Sequence, residues 1–106
     1  MREPLDKKYW VYILHCKNGS LYTGYTDDLP KRYKAHKNGT GSKYTRSFKP
    51  TCIAQCWEIS GDKALAMQIE RKIKKMSRKE KNMLILSPST LDSNPMIQPG
   101  IIPTAE

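Results

Sequence analysis

The turn Lys17-Asn18-Gly19, set between two runs of aromatic, β-branched and other apolar residues, constrains this chain more than any other feature. Residues 9–16 and 20–26 have the composition of strands and the three residues between them have turn chemistry, so the stretch reads as a β-hairpin. Register decides what the hairpin presents. A two-residue loop at Asn18-Gly19 pairs Lys17 with Ser20 and sends Tyr12 and Tyr22 to opposite faces, because side chains alternate along a strand. A three-residue loop, a type I turn followed by Gly19 in the left-handed region, pairs Cys16 with Ser20 and puts Tyr12, Leu14, Tyr22 and Gly24 on one face. Asn-Gly suits both turns, and the residues alone leave the choice open.

A helix follows directly. Thr26-Asp27-Asp28 supplies capping oxygens and negative charge at its start, Pro30 fits within its first turn, and Asn38-Gly39 ends it. At 100° per residue Leu29, Arg32, Tyr33 and His36 fall within about a third of the circumference, and Arg32 and His36, four apart, are neighbours. On helix chemistry alone, an arginine and a histidine there are equally well read as solvated surface.

The run Val11-Tyr12, Tyr22-Thr23-Gly24 about ten residues later, then Leu29-x-x-Arg32-x-x-x-His36, followed by a glutamate in a later helix, resembles the GIY-YIG nuclease superfamily. In particular it resembles the small single-domain bacterial members, which also carry a segment like Lys43-Tyr44-Thr45-Arg46. The resemblance covers roughly residues 8–86. Trp10 stands where the first glycine of the family name would be and Thr23 replaces the isoleucine of the second triplet; neither position carries chemistry in the family. The resemblance implies that both tyrosines work on one face, and so favours the bulged three-residue turn. It implies catalytic roles for Tyr12, Tyr22, Arg32 and His36, a metal-binding role for Glu70, and divalent Mg²⁺ (or Mn²⁺) as the cofactor.

Composition points the same way. At 106 residues one domain is expected, with a modest core. The formal charge is +9; all 19 Lys and Arg fall within residues 1–81 and eight of the ten acids within 1–86, giving the first 86 residues +11 and the remainder −2. Such a domain favours a polyanion, nucleic acid before membrane, over the blander reading of a soluble cationic surface. The polar start Met1-Arg-Glu-Pro-Leu-Asp-Lys-Lys is no secretory signal and no apolar run nears the ~20 residues of a membrane span, so a cytoplasmic protein is expected. Cys16, Cys52 and Cys56 form neither a disulfide framework nor a zinc spacing. They read as reduced packing residues, with Cys52 and Cys56 on one face of a strand.

Asn38-Gly-Thr-Gly-Ser42 leads into Lys43-Tyr44-Thr45-Arg46-Ser-Phe48-Lys49, a glycine-containing loop with cations around aromatics that suits a nucleic-acid strand. Lys43, Tyr44, Arg46 and, further on, Lys74 are the candidate nucleic-acid contacts. Residues 51–59 read as a third strand. The expected architecture is α+β, a small three-stranded, mainly antiparallel sheet flanked by helices. Asp62 caps a helix over about 62–76 whose Leu65, Ile69, Ile73 and Met76 form a core stripe. Glu70 lies roughly 95° from the stripe's centre, on its flank, where a carboxylate is held yet reachable. Pairing with Lys74 at i+4 explains it equally well, and Glu58 is the competing carboxylate. Ser77-Arg-Lys-Glu80 is a capping box that starts a short helix to about Leu86, with Met83, Leu84 and Leu86 available to close the core. From Ser87 the Pro- and Ser-rich composition predicts a flexible tail over 87–106 behind a GIY-YIG-like domain of residues 1–86.

The expected function is a Mg²⁺-dependent endonuclease hydrolysing phosphodiester bonds in DNA, selecting structure rather than sequence because no separate specificity domain is present. The competing class is a non-catalytic nucleic-acid-binding module for DNA or RNA on the same fold. A monomer is favoured.

Overall fold

A computed structural model describes residues 7–103 of the chain. The polar first six residues, and residues 104–106 of the expected tail, lie outside this range. The elements run β1 (Tyr9–Cys16), β2 (Leu21–Thr26), α1 (Leu29–Asn38), α2 (Lys43–Ser47), β3 (Pro50–Ile59), α3 (Lys63–Lys74), α4 (Arg78–Leu86), a 3₁₀ turn (Pro88–Thr90) and β4 (Ile97–Pro99). The fold is α+β. Its sheet has the order β2-β1-β3-β4, antiparallel throughout.

The hairpin takes the bulged turn. The Cys16 amide donates to the Ser20 carbonyl at 2.9 Å, the Gly19 amide to the Cys16 carbonyl at 2.9 Å, and Gly19 has φ +84°, the left-handed conformation that favours glycine. Tyr12 then stands opposite Gly24 and Leu14 opposite Tyr22. On that face Tyr12, Leu14, Cys16, Ile53 and Cys56 pack with Leu29 and Tyr33 of α1. The opposite face, with Val11, Ile13, Trp57 and Ile59, buries Ala66, Ile69 and Ile73 of α3 and Leu84 of α4.

Helix ends follow from the residues that cap them. The Asp28 carboxylate accepts the Lys31 amide at 3.2 Å, Asp62 accepts Leu65 at 2.9 Å, and Ser77 and Glu80 form the full reciprocal capping box. That start sets the phase of α4, so Leu84 turns inward at 4% exposure. Met83 and Leu86, expected in the core, lie about 100° and 200° around the helix from it and are exposed.

Three further expectations are corrected. The sheet has four strands because residues 97–99, within the expected flexible tail, add to the free edge of β3. Their neighbours fasten them: the Ser60 amide donates to the Met96 carbonyl at 2.8 Å and the Gly100 amide to the Cys56 carbonyl at 2.9 Å. The Trp57 indole donates to the Pro88 carbonyl at 2.9 Å, Lys72 holds the Leu91 carbonyl at 2.8 Å, and Leu91 and Ile97 are buried in the α3 core. Two isolated apolar residues amid Pro and Ser thus order residues 88–99, while Ile101 and Ile102 stay exposed. Last, Cys52 and Cys56 do not share a face. Ile13 pairs with Gln55 and Leu14 with Ile53, so Ala54 is an inserted bulge residue that reverses the alternation. Cys56 is buried and Cys52 exposed; burial, with Glu58 nearby, pushes the Cys56 thiol up to about 11. Among the described residues no helix is long and apolar enough to cross a membrane.

Thr23, opposite Ile13 at 4% exposure, buries a hydroxyl that finds no hydrogen-bond partner among the described residues. A buried unsatisfied hydroxyl costs on the order of 1–3 kcal/mol. Thr23→Val, which keeps the shape and removes the hydroxyl, is expected to stabilise the fold by about 1 kcal/mol, read as a higher urea midpoint at unchanged slope. A midpoint at or below that of the parent chain would contradict this account.

Candidate active site

The hairpin register and α1 together build the site. Tyr12 projects from β1 across the backbone of β2 at Gly24, where a Cβ would meet the Tyr12 hydroxyl at 2.5 Å. The ring occupies the space a side chain there would fill, and this is the physical reason for glycine at that position. From α1, Arg32 reaches the same region, and His36, one turn later, points inward and is fully buried.

Tyr12, Tyr22, Arg32 and Glu70 line one cleft of about 530 Å³. It lies at the β2 edge of the sheet, and its walls come from both faces, Tyr22 and Gly24 from one and Tyr9 and Tyr25 from the other, with Lys63 at the start of α3 adding a cation. Glu70 enters from the flank of α3, its side chain 15% exposed. It also pairs with Lys74 at 3.4 Å, the i+4 pairing that the helix spacing offered. Lys74 is half exposed, and such a pair is worth little energetically. Glu58 is drawn away to Lys8 at 2.6 Å and does not line the cleft.

His36 stands behind Tyr12 and outside the cleft lining. Its Nε2 is 2.8 Å from the Tyr12 hydroxyl and its Nδ1 2.7 Å from the Thr45 hydroxyl, which is 2.9 Å from the Ser42 hydroxyl. Gly41 runs so close that a Cβ would lie 2.5 Å from Nδ1. Burial, reinforced by the positive charge of Arg32, drives the His36 pKa down to about 4, so the imidazole is neutral at pH 7. Burial pushes Tyr12 up to about 12 despite a hydrogen bond from Arg32, with Tyr22 and Glu70 adding to the rise. Tyr12 therefore holds its proton.

The candidate nucleic-acid contacts divide. Tyr44 stacks on Tyr22 with ring centroids 5.9 Å apart, Phe48 leans on Tyr44 at 5.2 Å, and Lys43 and Arg46 are exposed on the same short helix. The Tyr44 hydroxyl is fixed by Ser20 and by Asn18. Lys74 lies outside this group, on α3. Sequence reasoning missed Thr45, which is fully buried between Tyr44 and Arg46, an aromatic and a cation that the sequence brought forward. Its signal was a hydroxyl three residues after Ser42, the pattern of a capped turn.

The donor set bears on which metal the cleft suits. Among the described residues no group of three His, Cys, Asp or Glu side chains is placed to hold an ion, which does not fit a closed zinc-type site. Two carboxylates among the described residues line the cleft, Glu70 and Asp27, the latter 3.7 Å from the Lys7 ammonium; so small a set of oxygen donors with open space beside it fits a hard cation such as Mg²⁺, which keeps several waters and takes further oxygens from phosphate.

These residues can be set against known proteins. A family model described as the GIY-YIG catalytic domain matches residues 8–83. A UPF0213 protein of Clostridium perfringens (strain 13 / Type A) is 47% identical over 85 residues, covering 80% of this chain and 90% of that protein. A UPF0213 protein of Halalkalibacterium halodurans is 44% identical over 77 residues, covering 73% and 81%. The solution NMR structure of a UPF0213 protein from Bacillus halodurans is 43% identical, with a TM-score of 0.48 and coverage of 74% of this chain and 83% of that one. From the match over most of its length, this chain belongs to the GIY-YIG catalytic domain family, a family of nucleases acting on nucleic acid and generally using divalent metals, and its relatives there are the small UPF0213 proteins of bacteria.

Proposed function

We propose that this chain is a divalent-metal-dependent endonuclease, using Mg²⁺ or Mn²⁺, that hydrolyses phosphodiester bonds in DNA. The observation that supports this reading is the convergence of Tyr12, Tyr22, Arg32 and Glu70 on one cleft of a basic chain. Glu70 would hold the cation. Bound there, it would supply charge neutralisation at the phosphorane and assistance to the leaving oxygen.

The remaining chemistry falls to the protein's own groups. Arg32 grips a non-bridging phosphate oxygen, for which its planar donor fork is suited, from the cleft wall it shares with Tyr12. Tyr22, fixed against Tyr44 and His36, orients the phosphate. Tyr12 is too weak an acid to act as a phenolate, but it need not ionise. As its oxygen accepts a proton from the attacking water, its own proton passes along the 2.8 Å hydrogen bond to the neutral Nε2 of His36. Tyr12 ends unchanged, the resulting hydroxide attacks phosphorus, water in the cleft supplies the proton taken up by the leaving oxygen, and the buried imidazolium returns its proton to the cleft through the Tyr12 hydroxyl. Lys43, Tyr44 and Arg46 would contact the flanking strand through phosphate charge and stacking.

One observation favours a second reading, a nucleic-acid-binding module that does not cut: Glu70 already has a partner in Lys74. Cleavage of supercoiled plasmid and of labelled duplex, single-stranded and branched DNAs with Mg²⁺ or Mn²⁺ separates the two. Glu70→Ala is expected to lose about 10²–10³-fold or more in cutting while binding within a few-fold of the parent chain, and Arg32→Ala to lose both cutting and affinity. Salt-sensitive binding without cutting by the parent chain would establish the second reading.

The mechanism also requires His36 to be neutral at working pH. Its pKa is about 4 folded against an ordinary 6.5, so between those values the unfolded chain binds a proton that the folded chain refuses. The stability from this group is complete above pH 6.5 and is lost as pH falls toward 4, by on the order of 3 kcal/mol. Urea midpoints at pH 7 and 4.5 should therefore fall more for the parent chain than for His36→Asn. Equal falls would show that His36 is not held neutral.

A further inference from the structure

The buried polar chain behind the cleft has an acceptor-only far end. At its near end Arg32, which can only donate, lines the cleft together with Tyr12. At the far end the Thr45 hydroxyl lies 3.4 Å from the Ser42 carbonyl, which can only accept, and 2.9 Å from the Ser42 hydroxyl. That Ser42 oxygen already accepts the Thr45 amide at 3.1 Å. A hydrogen-bonded row that ends on an acceptor-only group has one self-consistent polarity when each member has a single proton to give. Thr45 donates to the Ser42 carbonyl, so Nδ1–H of His36 donates to Thr45, and the neutral ring leaves Nε2 to accept from Tyr12.

We infer that Thr45 is a positioning residue: its buried hydroxyl accepts the Nδ1–H of His36 and so fixes the tautomer whose Nε2 lone pair faces the Tyr12 hydroxyl. The inference rests on the proposed nuclease reading. Three features go beyond what mere satisfaction of a buried histidine requires. Thr45 is fully buried although both its neighbours are exposed. The one-turn helix carrying it is capped by the same Ser42 that ends the row, so the cap and the polarity are one structure. Gly41 lets the backbone press against the imidazole, where any side chain would displace Nδ1. With the opposite tautomer Nε2–H would donate to Tyr12, His36 would be unable to take the proton, and Tyr12 would have to ionise.

The test combines ¹⁵N NMR of the His36 ring with cleavage kinetics on Thr45→Val, which keeps the shape and loses the hydroxyl, and Thr45→Ser, which keeps the hydroxyl. The parent chain should show Nδ1 protonated and Nε2 bare. Thr45→Val should move the proton to Nε2 and lower kcat by about 10–100-fold at unchanged KM, and Thr45→Ser should restore both. A parent chain with its proton on Nε2 overturns the inference, as does a folded Thr45→Val with parental kcat, or a Thr45→Ser no better than Thr45→Val. Should Thr45→Val not fold, the parent spectrum and Thr45→Ser still decide it. A parent chain that cuts none of the DNAs defeats the nuclease reading instead, while the ring spectrum continues to test the tautomer.

Discussion

The three-residue bulged turn at Lys17–Gly19 is the constraint on which the rest of this structure depends. Because side chains alternate with a period of two, one residue more or less in that loop would turn Tyr22 away from Tyr12. With the register set, Gly24 falls opposite Tyr12, and the absence of a side chain there lets the phenol lie across β2 toward α1. His36 can then meet it at 2.8 Å. A positive φ at Gly19 and an empty Cβ at Gly24 thus do the same work at two scales: the first orients the strand, the second admits the ring.

The electrostatics of the site follow from how deeply this pair is buried. Desolvation disfavours charge on either partner, raising the tyrosine and lowering the histidine, so both are neutral at pH 7. Two neutral groups in a hydrogen bond form a poor acid and a poor base taken singly. They are a reasonable conduit taken together, since a proton can enter at one end as another leaves at the other. Arg32 opposes the burial effect on Tyr12 and augments it on His36, so one cation holds the two groups to complementary tasks.

Much of this was legible in the sequence. Strand composition, capping oxygens at Asp28, Asp62 and Ser77, and the i,i+4 spacing of Arg32 and His36 are local signals, and local hydrogen bonds realise them. The hairpin register was not legible in the residues alone, because Asn18-Gly19 serves two turns; the family resemblance, which sets both tyrosines on one face, favoured the bulged turn that is found. β4 was hidden for the opposite reason: three residues bracketed by proline carry no periodicity, and their order comes from partners on β3, Trp57 and Lys72. The Ala54 bulge, which divides Cys52 from Cys56, leaves no compositional trace. Thr45 was overlooked because an aromatic ring and a charge drew notice to its neighbours Tyr44 and Arg46, whereas its side-chain oxygen is turned inward.

The two edges of the sheet have different fates, and this bears on what the molecule can recognise. β4 covers the β3 edge, tied down by Lys72, Trp57 and the Gly100 amide. Among the described residues no strand pairs with the outer edge of β2, and the cleft opens there, between Arg32 and Lys63. The stack of Tyr22, Tyr44 and Phe48 begins at a cleft-lining ring and runs outward along α2 beside Lys43 and Arg46. Among the described residues no helix is longer than the 12 residues of α3 and no two-stranded ribbon projects from the sheet to read base edges in a groove. Aromatic faces and cations take any base and any phosphate, so discrimination on the proposed reading arises from the path a strand must follow between β2 and α2. A substrate that can bend into that path would be preferred over one that cannot, whatever its sequence.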